Sequence, residues 1–244
     1  MILLMSTQAN ESSFLGRKMI SKERKELKYY IRNETYLLLK NRLKFIMKKD
    51  KYAVKEEGYK IRSLYFDTLA NRHFYEKQYG VEARQKIRLR IYPPDSTNIN
   101  FEIKSKFNEM INKETAKITK KDAIEIQNCN FECLLKYENP VLNKAYKILK
   151  TDIFKPVAII DYLRDAYVSE INHARITFDK VLSTNTTNLN LFIPHTTMSR
   201  IIDNNLVIME VKYNGFLPKF IKDSIQIPSF MRSSISKYFM GRIE

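Results

Sequence analysis

Arg84-Gln-Lys-Ile-Arg-Leu-Arg-Ile-Tyr92 decides how this chain is read. Successive side chains of a strand point to opposite faces, so Arg84, Lys86, Arg88 and Arg90 share one face and Gln85, Ile87, Leu89 and Ile91 the other. One face is wholly cationic. Neighbouring charges about 7 Å apart on it repel by roughly 2 kcal/mol per pair at an effective dielectric near 20, which water or a bound anion must offset. Working outward, four other stretches repeat the design. Glu102, Lys104 and Lys106 oppose Phe101, Ile103 and Phe107, while Glu210 and Lys212 oppose Val207, Met209 and Val211. Arg24, Glu26 and Lys28 oppose Leu27 and Tyr29, and Arg175 opposes Ile176 and Phe178 in looser phase.

Around these stretches, period-two or β-rich runs predict strands over 24–32, 59–67, 83–92, 99–107, 110–118, 156–168, 173–181, 198–203 and 206–213. Helical spacing predicts helices over 33–47, 120–128, 131–149, 217–226 and 233–242, the first capped by Asn33. Short turns such as Pro93 to Asn98 and Asp203 to Asn205 require antiparallel neighbours. The expected class is α+β, with a large antiparallel sheet or barrel. A sheet with a solvated outer face would also alternate. A solvated face mixes Thr, Ser, Glu and Lys, whereas here four cations follow one another and single carboxylates (Glu26, Glu102, Glu210) recur one to a strand. With apolar opposite faces and apolar helix stripes, the helices can cover the outside of a barrel whose charged faces line the inside.

Composition narrows the chemistry. The 244 residues, 44% hydrophobic and 12% aromatic, suffice for one sizeable core, and Lys+Arg 43 against Asp+Glu 27 leaves a net charge of +16, suited to a polyanionic partner. Five scattered glycines exclude phosphate-binding loops of the Walker or dinucleotide type. Cys129 and Cys133, read as helical, and the dispersed His73, His173 and His195 form no zinc pattern. The expected setting is reduced and cytoplasmic. Residues 1–21 read as a flexible lead-in, 183–190 as an exposed loop, and 22–244 as one domain without a membrane span.

From about residue 22 to residue 242 the chain resembles the VTC domain, the polyphosphate polymerase module of the CYTH-like or triphosphate tunnel superfamily. Carrying the resemblance, besides 84–92, are Arg24-Lys-Glu-Leu-Lys-Tyr29, Ser63-Leu-Tyr-Phe-Asp-Thr68, Phe101-Glu-Ile-Lys104, Tyr162-Leu-Arg164, Ala174-Arg-Ile-Thr-Phe-Asp179, Met209-Glu-Val-Lys212 and Ser236-Lys-Tyr238. It implies an eight-stranded antiparallel β-barrel, a triphosphate tunnel with helices packed outside. ATP is then held by its phosphates and a divalent metal, Mn²⁺ or Mg²⁺, sits on Glu210. Arg88 and Arg90 correspond to the paired arginines on the triphosphate. Lys28, Lys104, Arg164, Arg175, Lys212 and Lys237 complete the cage, with Lys113 a looser match and Lys86 and Lys106 beside them on the cationic face. Tyr162 and Ser236 correspond to neutral hydrogen-bonding positions, and Glu26 and Glu102 are candidate second metal ligands or orienters of neighbouring lysines.

One departure is informative. Hydrolytic and cyclase members of the superfamily usually begin with Glu-x-Glu-x-Lys, whereas this chain has Arg24-x-Glu26-x-Lys28. Hydrolysis requires a water made nucleophilic by base or metal, but a phosphate-end acceptor is already ionised at neutral pH. The expected activity is therefore transfer of the γ-phosphate of ATP to a growing inorganic polyphosphate chain. The rivals are an inorganic triphosphatase of the same fold and a non-catalytic module binding polyphosphate, inositol phosphates or nucleic acid. Nucleic acid is disfavoured because, Tyr162 apart, few aromatics interleave the cationic faces. A membrane partner is compatible with this reading.

Overall fold

The computed structural model describes residues 24–53, 55–93, 95–108, 110–194, 197–226 and 232–243, so the expected lead-in at 1–21 and His195 lie outside the described residues. The strands are β1 (Arg24–Arg32), β2 (Lys48–Lys49), β3 (Tyr59–Thr68), β4 (Ala83–Tyr92), β5 (Asp95–Phe107), β6 (Met110–Ile118), β7 (Phe154–Val168), β8 (Arg175–Asn185), β9 (Ser199–Arg200) and β10 (Leu206–Asn214). The helices are α1 (Asn33–Ile46), α2 (Arg72–Gln78), α3 (Lys120–Gln127), α4 (Pro140–Thr151), α5 (Lys219–Ile225) and α6 (Lys237–Ile243). Eight strands form one antiparallel sheet in the order β1-β10-β8-β7-β3-β4-β5-β6, with β2 added to β7 and β9 to β8.

The sheet curls until its two ends face each other. Lys104 on β5 lies 3.4 Å from Glu26 on β1, although those strands stand near opposite ends of the order. No ladder joins β6 to β1 among the described residues, so the barrel stays open along that seam. The alternation explains the curl: the outward side chains are apolar and the helices lie over them. Ile87, Leu89, Phe101 and Ile103 pack with Ala123 of α3 and Leu142 and Leu149 of α4, while Leu39 and Leu43 of α1 and Ile221 of α5 cover Met209, Val211 and Phe178. Burying each large aliphatic or Phe contributes about 1.5–3 kcal/mol, which is what holds the helices outside.

One end of the interior is apolar instead of charged. Ile61, Tyr65, Ile160, Leu182 and Ile208 form a cluster there with Ile235 and Tyr238, and α6 closes it. A Cβ on Gly241 would stand 2.2 Å from Ile160 Cδ1, so only glycine lets α6 lie this close to β7. Asp67 ties the plug to α2: its carboxylate accepts the His73 and Phe74 amides and the Tyr238 hydroxyl.

Several expectations are corrected. The helix expected over 131–149 divides into a 3₁₀ turn at Glu132–Lys136 and α4, because Pro140 disfavours helical geometry at the residue before it. Cys129 sits outside any helix at φ 64°, and Ser236 immediately precedes α6, its Oγ accepting the Phe239 amide at 3.2 Å. Asn33 does not cap α1; Arg32 holds the cap position and the Asn33 amide donates to Asn205 O at 2.8 Å. The stretch 183–190 is not wholly an exposed loop, since β8 runs to Asn185, whose buried side chain accepts the Thr187 and Asn188 amides. The segment before Asp203 pairs with β8 and not with β10. Helix α2 was not foreseen, as its cap comes from Asp67, outside the usual window.

Gly58 generates a prediction. It has φ 95°, and a Cβ there would stand 2.1 Å from the backbone oxygen of Arg164, whereas Gly80 has φ 71° with open space around it. Gly80→Ala should cost only the left-handed backbone term, about 1–2 kcal/mol. Gly58→Ala should cost about 2–5 kcal/mol, the overpacking being added. Urea unfolding of both variants checks this, and equal losses would contradict it.

A cationic tunnel as the candidate active site

The inward faces of β1, β10, β8, β7, β3, β4 and β5 meet in one chamber beyond the apolar plug. Register places the charges: Lys28 opposite Glu210, Glu26 opposite Lys212, Arg164 opposite Asp179, and Arg88 opposite Glu102. Among the described residues, Lys28, Lys86, Arg88, Arg90, Lys104, Lys113, Arg164, Lys212 and Lys237 face Glu26, Glu102, Asp179 and Glu210.

Three groups make up the chamber. In the first, Glu26 and Glu210 share the ammonium groups of Lys28 and Lys212. Lys28 stands 3.1 and 3.8 Å from them, Lys212 3.6 and 3.3 Å, and Lys104 3.4 Å from Glu26. Burial opposes charge on Glu210, but Lys212 and Lys28 outweigh it and hold the carboxyl well below the usual range. In the second, Asp179 accepts both Arg164 Nε and Nη2 at 2.7 Å and pairs with Lys237 at 2.7 Å. Burial is again outweighed, by Arg164 and Lys237, and its pKa falls to about 2. In the third, Glu102 receives Arg88 Nε at 2.7 Å and Lys113 at 2.6 Å, with Arg90 at 3.7 Å.

Neutral groups join the three. Arg90 Nη2 donates to the Tyr162 hydroxyl at 3.2 Å, and the ring beneath is approached by Arg164 and Lys237 at 5.3 and 5.1 Å from its centroid. Arg164 Nη2 reaches to 4.0 Å from Glu210, so the arginines, tyrosine and glutamates form one continuous site. Lys86 contrasts with its neighbours. Its ammonium donates to Ser236 Oγ at 2.6 Å, and burial together with Lys28 and Lys104 pushes its pKa well down. Lys106, with Lys86 and Lys104, lines an opening of about 390 Å³ by the segment 232–236. Arg175 stands apart from the glutamates; it pairs with Asp50 at 2.5 Å and donates to the Tyr59 hydroxyl at 3.2 Å.

Sequence reasoning overlooked Asp179, Tyr65 and three further tyrosines. Asp179 shares the face of Arg175 four residues on, a signal that was present. Tyr65 accepts Arg88 Nη1 at 2.7 Å. Tyr52, Tyr59 and Tyr92 gather with centroids 6.2–6.3 Å apart, which corrects the expectation that Tyr162 stands nearly alone among the cations.

The metal question turns on donor chemistry. Among the described residues no group of three or more His, Cys, Asp or Glu side chains could hold an ion. Glu26 and Glu210 nevertheless fit a hard cation that takes one or two carboxylates and completes its shell with substrate phosphates. Glu102 does not fit this role, its oxygens being occupied by Arg88 and Lys113.

The VTC domain family model matches residues 23–243. The chain belongs to the VTC domain family. A Hippeastrum protein, described as an adenylyl cyclase with a dominant triphosphatase activity, is similar in fold. Its TM-score is 0.52 at 14% identity, over 90% of this chain and 96% of that one. A Bacillus halodurans protein assigned as an adenylate cyclase gives 0.46 at 12% identity, over 78% and 81%. No curated protein matches by sequence. The VTC match covers every residue named in the chamber, and this eight-stranded architecture is the CYTH-like tunnel expected from the resemblance. Family and fold together support an enzyme acting on triphosphate or polyphosphate. Among the described residues, no helix is long and apolar enough to cross a membrane.

Lys104 generates a prediction with a definite sign. Burial lowers its pKa from 10.5 to about 8, with Glu26 opposing only in part. The unfolded chain therefore binds more protons between about pH 8 and 10.5, and Lys104 makes stability rise with pH across that window. A polyanion in the chamber should restore the proton. Tripolyphosphate titrated near pH 8.5 in buffers of different ionisation enthalpy should show proton uptake, reduced in Lys104→Met. No uptake by the wild type would contradict the assignment.

Proposed function

We propose that this VTC-family chain is a metal-dependent polyphosphate polymerase, transferring the γ-phosphate of ATP in line to the end of a polyphosphate chain and releasing ADP. The observation that carries the reading is the state of the carboxylates. Each of the four in the chamber is engaged by Lys or Arg, so none stands ready to take a proton from water. An ionised phosphate end needs no such base, and positioning with charge stabilisation suffices.

Roles follow from the contacts. Arg88 and Arg90, aligned by Glu102, Tyr65, Ser63 and Tyr162, present guanidinium groups to the triphosphate, and Arg164 is fixed by Asp179 for the same task. Planar guanidinium suits the planar, charge-spread group in transfer. Lys28, Lys104, Lys212 and Lys237 act as point charges that can exchange a carboxylate for a phosphate oxygen. Lys86, Lys106, Lys113 and Arg175 extend the cationic surface, and Ser236 donates to phosphate. Glu210, with Glu26, would hold Mn²⁺ or Mg²⁺, which when bound supplies charge neutralisation between phosphate oxygens. The same-fold triphosphatase remains the second reading, favoured by the activity described for the Hippeastrum protein.

Incubation with ATP and Mn²⁺, with and without a short polyphosphate primer, should yield chains together with ADP; orthophosphate alone would decide for the triphosphatase. Glu210→Gln should leave triphosphate binding equal or tighter while metal-dependent synthesis falls by at least about a hundredfold, because charge stabilisation specific to the transition state is lost. Arg88→Ala should instead weaken ATP binding by about 1.5–3 kcal/mol. Calorimetry beside chain synthesis separates the two, and near-normal synthesis by Glu210→Gln at limiting metal would remove the metal role.

A further inference from the structure

The tunnel has two dissimilar openings. The one beside the segment 232–236 is lined by Lys77, Arg84, Lys86, Lys104 and Lys106 with serine hydroxyls, and no aromatic side chain is among the described residues that line it. The other leads into a cavity of about 1100 Å³ that holds Tyr52, Tyr59 and Tyr92 together with Asn100 and Lys117. The three rings form a nearly equilateral group: Tyr52 and Tyr92 are close to parallel, 14° apart at 6.3 Å, and Tyr59 is tilted across both at 6.2 Å. Tyr52 is 62% exposed, so its ring is open to a ligand.

Register connects this group to the chamber. Tyr59 is the ladder partner of Arg164, and its hydroxyl accepts from Arg175, whose own ladder partner is Lys212. On the other wall Arg90 lies opposite Asn100, two residues before Tyr92 along β4. The tyrosines thus follow directly on the phosphate-binding cations, in a cavity that Lys55, Lys117 and Lys120 also line. Lys60, beside them, is paired with Asp161 at 2.9 Å.

We infer that Tyr52, Tyr59 and Tyr92 form a subsite for the base of the nucleoside triphosphate, so that the nucleotide enters from this side with its phosphates pointing into the chamber. The inference rests on the reading of the chamber as a triphosphate site. A base needs a π-face to stack on, and among the described residues that line the two openings such faces are found at this one. The subsite therefore also gives the tunnel a direction: nucleoside at the tyrosines, acceptor chain towards Lys86 and Lys106.

The test compares ATP with inorganic tripolyphosphate, which carries the same phosphates and no base. In the double variant Tyr52→Ala/Tyr92→Ala, ATP affinity should fall about tenfold or more, the scale of lost base stacking. Tripolyphosphate affinity should stay within about twofold, and this also reports that the variant is folded. The double Phe variant should retain ATP affinity. The protein contains no Trp, so Tyr92→Trp introduces a single reporter whose fluorescence ATP should quench and tripolyphosphate should not. Parallel changes in the two affinities, or equal responses of the Trp to both ligands, would overturn the subsite and leave the triphosphate reading standing. Failure of the wild type to bind tripolyphosphate at all would overturn that reading and the subsite with it.

Discussion

Like-charge repulsion inside a curled sheet is the constraint to which the rest of this molecule answers. Among the described residues a set of lysines and arginines faces inward, and removing even a few of them from water unpaired would cost several kcal/mol each. Four carboxylates reduce the cost without abolishing it. They are spread one to a strand over β1, β5, β8 and β10, so each neutralises the cations of its neighbours across the ladder. Lys104 and Lys86 show what is left over, since both have depressed proton affinity. The chamber is therefore short of negative charge, and a polyphosphate anion supplies it.

The carboxylates also decide geometry. Asp179 grips Arg164 with two 2.7 Å bonds and Lys237 with a third, tying β7, β8 and the start of α6 to one point. Glu102 does the same for β4 and β6 through Arg88 and Lys113. Such pre-set guanidinium groups lose little freedom when phosphate arrives, which is where electrostatic catalysis of phosphoryl transfer gains most. The apolar plug at α6 complements this, because it fills part of the interior with packed side chains.

Much of this was legible in the chain. The alternation in 84–92 fixed both the strand and its inward face, and Arg88, Arg90, Lys104 and Lys212 do converge, because a period of two leaves no freedom about which residues share a side. The errors lie where the pattern is short or non-local. Helix α2 has seven residues and is capped from Asp67; β9 has two residues and chose β8 over its sequence neighbour; the 131–149 helix was broken by Pro140, a local signal outweighed by long apolar spacing. Asp179 was within reach of the same parity argument, two positions beyond Thr177 on the face of Arg175, but was given no role.

What the sequence determined by itself is the set of inward residues on each strand, since backbone geometry alone makes side chains alternate. It also determined the family, through motifs spread along nearly the whole chain. Only the tertiary structure decided which carboxylate serves which cation, that Glu26 and Glu210 share Lys28 and Lys212 while Glu102 is taken up by arginine and lysine, and that Tyr52, Tyr59 and Tyr92 gather at one mouth. Those outcomes depend on strand order and on how far the sheet curls. Residues distant in sequence were brought within 4 Å of one another by the burial of the outer apolar face, which no local spacing encodes.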